Sequence, residues 1–184
     1  GVGTWPAAAS CEYFHEHFGG IVPHGILDTI VPAAPDVWIT ALEEYGTISF
    51  ADAAAAAIRF ARDGFPMYPI MASQLEDGMA YIKTHPTTAA IYLPGGRPPE
   101  VGELFFQKDL AGSLQYLVDE EAAKAGRGRE AGLQAARDAF YKGDIARAIV
   151  RQQVELGGLL TAEDLAGFRA EIEAPQRVVL KDGT

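Results

Sequence analysis

Four serines, four histidines and one cysteine are the residues of this 184-residue chain best suited to nucleophilic or metal chemistry. Ser10, Ser49, Ser73 and Ser113 all lie outside a G-x-S-x-G pattern, the sharp strand-to-helix elbow that exposes a nucleophile in one large hydrolase class. H-E-x-x-H is also absent. Cys11 has no disulfide partner within the chain and no obvious histidine to activate it, so it reads as a small buried hydrophobe. His15 and His17 stand two apart, about 200° around a helix, and would meet one metal only on a strand. With Glu12 and Glu16 beside them, they read as a solvated helix face. His24 and Asp28, four apart in a loop, are a pairing too common by chance to count as a catalytic dyad. The acidic residues fall mostly on helix faces where solvation explains them. Gly95-Gly96 is a tight turn, because a phosphate cradle needs more glycines or a Gly-Lys-Ser/Thr run between strand and helix. Residue types alone expose no active site.

The elements that would have to position a site are easier to read. Val31 to Pro69 forms two consecutive helices, and the remainder of the chain is organised around them. Pro35 and Asp36 open the first, Val37, Ala41 and Leu42 give it an apolar stripe, and Gly46 stops it after Tyr45. Ser49 and Asp52 make a capping box for the second. Its five alanines, Ala53 to Ala57, allow close approach of a neighbour. Ile58, Phe60 and Ala61 supply apolar surface, and Gly64 ends it, so the pair reads as a tightly packed helical hairpin.

Before this pair, Gly1 to Pro6 is extended and Ala7 to Phe18 holds a short helix, started near Thr4 or Ser10 and ended by Gly19-Gly20. Ile21 to Val31 reads as a loop followed by a short strand. After it, a third helix runs from about Ile70 to Thr84 on Leu75, Met79 and Ile82 and stops near His85-Pro86. Thr88 to Tyr92 is a helical turn or strand, and Leu93 to Pro99 is a loop. Another helix spans about Asp109 to Ala123, with Leu110, Leu114, Leu117 and Val118 on one side. Asp119 to Glu130 lacks an apolar stripe and reads as a solvated connection. Two further helices, Ala131 to Tyr141 and Asp144 to Glu155, are split by Lys142-Gly143. Thr161 and Asp164 form a second capping box ahead of Leu165, Phe168 and Ile172. Arg177 to Leu180 reads as a strand. No repeat period emerges.

Composition narrows the function classes. With 48% hydrophobic residues, the chain is long enough for one domain burying roughly 70% of its unfolded surface. A net charge of -10 disfavours nucleic acid and anionic membranes as partners. No apolar run approaches the roughly 18 residues of a membrane span. The chain therefore reads as soluble, cytoplasmic or periplasmic, with no cofactor expected. A mostly helical set with clear strands only at its ends reads as one layer of a larger sandwich.

Three groups of motifs, in order along nearly the whole chain, resemble one family. Val31-Pro32-Ala33-Ala34-Pro35, Ala41-Leu42-Glu43-Glu44-Tyr45-Gly46-Thr47, Ala57-Ile58-Arg59 and Gly64-Phe65-Pro66 resemble the large subunit of gamma-glutamyltranspeptidases and related acylases. So does Leu93-Pro94-Gly95-Gly96-Arg97-Pro98-Pro99 before Gly102-Glu103-Leu104. The third is Ala139 to Ala146, followed by Gly157-Gly158-Leu159-Leu160-Thr161 and Asp164-Leu165.

The resemblance implies an N-terminal-nucleophile hydrolase with an αββα sandwich, whose precursor cuts itself into two subunits. It makes this chain a single partial domain over residues 1–184, mainly α with few short strands, the helical part of that sandwich. The nucleophile it implies is a threonine heading the small subunit, acting on an amide through an acyl-enzyme. No catalytic residue is then expected here: Gly1 has no nucleophilic side chain and Thr184 lies at the wrong end. The implied partners are the small subunit of the same precursor and a small-molecule amide. By position, Val2, Thr4 and Trp5 are the expected substrate-binding residues. Family members acting on gamma-glutamyl donors carry a carboxylate-binding arginine at the place where Val2 stands. A valine cannot form that contact, which argues against glutathione-type substrates and leaves the broader amidase or acylase class. Residues 119–138 look like a surface insertion, with a homo-oligomer contact as the sharper reading. A non-catalytic helical binding or interaction module is the alternative for the chain as a whole.

Overall fold

A computed structural model describes residues 3–175, 177 and 178. Val2, Gln176, and Val179 and Leu180 of the expected last strand lie outside the described residues; Arg177 and Val178 are not in a strand. The described residues contain ten α-helices and two strands of two residues each. None of these helices is long and apolar enough to cross a membrane. The chain divides into two compact units: residues 1–46 with 137–184, and residues 47–136.

The first unit opens with an extended N-terminal segment. A Cβ on Gly3 would collide with the Val31 carbonyl, so only glycine permits this approach. Next to it the Val31 N–H donates to the Thr4 carbonyl at 2.8 Å. Helix α1 (Cys11–Phe18) is capped by the Ser10 side chain, which accepts from Tyr13 N–H, and ends at Gly19 in the left-handed region. The strand expected before Val31 is absent from the described residues, where a 3₁₀ turn at Ile26–Asp28 follows Gly25 instead. Pro23 and Pro32 lack the N–H that a ladder would need there.

Helix α2 (Ala34–Tyr45) ends at Gly46 as expected, but its buried residues are Pro35, Asp36 and Ile39. Ala41 of the expected stripe is exposed. Helix α8 (Arg129–Tyr141) carries the boundary between the units, α9 (Asp144–Leu156) ends at left-handed Gly157, and α10 (Ala162–Gly167) starts at the expected Thr161–Asp164 capping box. Val31, Ala33, Tyr141, Ala146, Leu160, Leu165 and Phe168 form this unit's core, with Val37, Phe140, Ile149 and Val150 packed around it.

The second unit pairs α3 (Phe50–Asp63) with α7 (Lys108–Lys124). Ala54, Ile58 and Ala61 are buried on α3, whereas Phe60 points to solvent. The expected hairpin of α2 with α3 is therefore revised: the two helices belong to different units, and the neighbour along α3 is α7. The expected third helix is interrupted at Gly78, since glycine is a poor helix former. It becomes α4 (Pro69–Asp77) and α5 (Met79–Ile82), followed by α6 (Pro86–Tyr92). Strands β1 (Phe65–Pro66) and β2 (Leu104–Phe105) pair antiparallel, Phe65 opposite Phe105 and Pro66 opposite Leu104. Met67, Leu75 and Phe105 are the buried residues beside them.

Helix α7 continues through Lys124, so the region from Asp119 is not simply a solvated connection. Within residues 119–138, Glu121, Leu133, Ala136 and Arg137 are all buried. The exposed part is the 3₁₀ turn Ala125–Arg127 and its flanks.

Candidate functional site: a cleft beside Thr4

The first unit holds a cleft of about 640 Å³ that contains one of the expected site residues. Thr4 lines one side, α2 contributes Val37, Thr40 and Tyr45, and the extended run Phe168 to Glu173 forms the opposite wall. Thr4 is fixed by the backbone bond to Val31 and by the crowding at Gly3. Trp5 is half exposed and does not line the cleft; its ring meets Phe14 edge-on at 6.2 Å. Val2 lies outside the described residues.

Just after these residues, Ala7 N–H donates to Asp164 Oδ1 at 2.9 Å, tying the N-terminal segment to the first turn of α10. Burial of Asp164 pushes its pKa up, but the hydrogen bonds from Ala7 and Thr161 outweigh this and hold it below the ordinary aspartate value. A group with a depressed folded pKa stabilises the fold above its unfolded pKa, and that contribution is lost as pH falls through the folded pKa. Asp164→Ala should therefore melt at a lower temperature than wild type at pH 7, with the gap narrowing at pH 3. Thermal melts at both pH values check this, and a gap independent of pH would contradict it.

Beneath the cleft lies a charge network that the sequence did not announce. Asp36 is fully buried and Arg137 is 4% exposed. Arg137 Nε donates to Asp36 Oδ1 at 2.6 Å, and its two terminal nitrogens donate to Glu43 at 2.8 and 2.7 Å, a bidentate pairing. Burial works against the Arg137 charge, yet the bonds to Glu43 and Asp36 keep its pKa above the usual arginine value. Arg137 also donates to Thr40 Oγ1 at 3.0 Å. The second Asp36 oxygen accepts the Ala170 N–H at 2.6 Å and thereby pins the extended wall to α2.

Tyr141 completes the arrangement. Its hydroxyl donates to the Pro32 carbonyl at 2.6 Å and accepts from the Asp36 N–H at 3.2 Å. Burial raises its pKa to about 12, so it remains a phenol and a donor at any physiological pH. The network therefore holds α2, α8 and the 168–173 wall in one geometry. It offers a rigid, polar-floored recess and no activated nucleophile.

The other chemistry-bearing residues are elsewhere. His17 stacks on Tyr13 at 4.5 Å, with Nδ1 2.9 Å from the Tyr13 carbonyl. His24 and Asp28 approach to 3.4 Å at an exposed position. Among the described residues no three His, Cys, Asp or Glu side chains are grouped as a metal site. Cys11 is exposed rather than buried, because α1 turns only Phe14 inward.

Asp36 and Arg137 were missed because a charged residue is ordinarily read as solvated. A signal existed for Arg137: it shares a face of α8 with Leu133 and Ala136, both fully buried.

Comparison with known proteins places this architecture. A family model described as gamma-glutamyltranspeptidase matches residues 1–184. The "Glutathione hydrolase proenzyme 1" of Schizosaccharomyces pombe is 34% identical over 173 residues, which are 94% of this chain and 25% of that protein. A solved structure of LmbA2991HD is 35% identical, has a TM-score of 0.84, and is matched over 96% of this chain and 32% of its own. The structure of cephalosporin acylase from Bacillus halodurans is 28% identical with a TM-score of 0.76, over 93% of this chain and 31% of that one. The chain spans about a quarter of the length of the curated relatives it matches, several of them described as proenzymes.

Proposed function

Because this chain belongs to the gamma-glutamyltranspeptidase family and forms the helical part of that fold, we propose that it is the non-reacting portion of a self-processing amide hydrolase or acyltransferase. The attacking group is a threonine at the head of the small subunit, outside these 184 residues. Its hydroxyl gives a proton to its own α-amine and attacks the amide carbonyl; the amine departs, and the acyl-enzyme passes its acyl group to water or an acceptor amine. This chain supplies one wall of the pocket that holds the amide substrate. The observation that carries the reading is the cleft beside Thr4, whose far wall is held by the buried Asp36–Arg137–Glu43 network. Such a wall can orient a substrate without reacting, because its backbone is tied to α2 at Ala170 before the substrate arrives.

Within this reading, the donor's acyl group is one that does not need a cation at residue 2. That fits acylase-type donors better than glutathione. The small subunit of the same precursor is the partner, and within 119–138 the surface insertion is confined to the exposed turn Ala125–Arg127 and its flanks, since Glu121, Leu133, Ala136 and Arg137 are buried.

The test is to compare the complete protein with the isolated 184 residues. The complete protein should hydrolyse simple amide donors after separating into two chains, and the isolated chain should not. Amide turnover by the 184 residues alone would overturn the assignment.

A further inference from the structure

We propose that Arg169 is a carboxylate-binding residue of the cleft beside Thr4 and selects substrates that present an anionic end to it. This rests on the reading of that cleft as part of the substrate pocket. Arg169 is the lining residue with a permanent positive charge, in a protein of net charge -10 that repels anions as a whole. A fixed local cation is what would make an anionic acyl or acceptor group tolerable there.

The geometry fixes the base of this side chain on both sides. Phe168 is buried and stacks on Tyr141 at 5.9 Å, while the Ala170 N–H is held by the buried Asp36 carboxylate at 2.6 Å. Arg169 is an exposed residue, and one terminal nitrogen donates to the neighbouring Phe168 carbonyl at 2.7 Å in a partly buried hydrogen bond. That bond leaves further N–H groups of the planar fork for a ligand, and an arginine fork matches a carboxylate bidentately. Several arginines of the described residues pair with carboxylates: Arg62 with Asp63, Arg97 with Glu103, Arg137 with Asp36 and Glu43, and Arg147 with Asp144. Arg169 has no such ion pair among the described residues.

Two other charged side chains line the same wall, Glu171 and Glu173. Thr4 also lines the cleft and carries a hydroxyl, whereas the Thr40 hydroxyl is already engaged by Arg137 and Asp36.

The experiment uses the complete protein and two readouts. Glutarate binding is measured by calorimetry, and hydrolysis is measured for glutaryl-4-nitroanilide and its uncharged methyl ester. Arg169→Gln should weaken glutarate binding at least about tenfold, the range expected for loss of a charge-assisted contact. It should raise KM for the anionic donor by a similar factor while leaving kcat and the ester within about twofold. Arg169→Lys should recover part of the binding. Equal losses on both donors, unchanged glutarate binding in Arg169→Gln, or no glutarate binding by wild type would each overturn the proposal. Glutarate binding that depends on Arg169 in a protein that hydrolyses neither donor would sustain the binding site and sink the amide-hydrolase reading instead.

Discussion

Replacing Arg137 with alanine should destabilise the protein by about 3–5 kcal/mol, the usual cost of stripping the partner from a buried charge. Asp36 is fully buried, and its Oδ1 would lose the 2.6 Å bond from Arg137 Nε with no solvent to replace it. Glu43 would lose both guanidinium contacts and Thr40 a third. Lysine should rescue poorly, because an ammonium cannot serve Asp36, Thr40 and Glu43 from one planar fork. The more informative comparison is the double replacement Asp36→Leu with Arg137→Met, which removes both charges. It should be less damaging than Arg137→Ala alone, since the large term is the orphaned charge rather than the lost attraction. Denaturant unfolding of the three variants decides it. A loss under about 1 kcal/mol for Arg137→Ala would mean that water reaches Asp36 and the wall it holds is not rigid.

Glu121→Ala should cost about 3 kcal/mol, from the other unit. Helix α3 begins with backbone donors that need acceptors. Ser49 serves Asp52 N–H at 3.0 Å, and the buried Glu121 carboxylate serves the two before it, Phe50 N–H at 2.7 Å and Ala51 N–H at 2.8 Å. A negative charge at that position also complements the positive end of the helix dipole. Gly132 packs against the Glu121 stem, where a Cβ would come within 3.1 Å of Glu121 Cγ. Alanine at 121 leaves both amides unpaired in a buried place. Glutamine keeps one acceptor oxygen and loses the charge, so Glu121→Gln should fall between the two. Hydrogen exchange at Phe50 and Ala51 should accelerate in both variants. A glutamine variant as stable and as protected as wild type would show that the cap is not electrostatic.

These two carboxylates also mark the limit of what the sequence revealed. Ser49–Asp52, Thr161–Asp164, Gly46 and Gly64 announced their helix ends because the chemistry is local: the capping side chain and the donors it satisfies lie within one turn. Asp36 and Arg137 are 101 residues apart, and Glu121 reaches back 71 and 70 residues to α3. No window of sequence contains both partners. What the sequence did hold was position on a face, since Glu121 follows Leu114 and Leu117 at the spacing of one apolar stripe. A charge on such a stripe is worth reading as a buried cap rather than as a solvated residue.

Thr4 was named by position alone, whereas the 168–173 wall depends on the Ala170 N–H meeting Asp36, 134 residues away. The expected apolar stripe of α2 failed because Asp36 and Ile39, not Ala41, face inward. An aspartate at a helix start is ordinarily counted as a partner of the helix's own dipole. Here it serves α8 and the wall of the cleft instead.

In the proposed enzyme the reacting group lies on another polypeptide cut from the same precursor. Intact-mass measurement of the purified complete protein, with sequencing of the N-terminus of any smaller product, tests it most directly. Two chains are expected, the smaller beginning with threonine, and a single uncut chain once that threonine is replaced by alanine. A complete protein that stays in one piece while turning over an amide would contradict it.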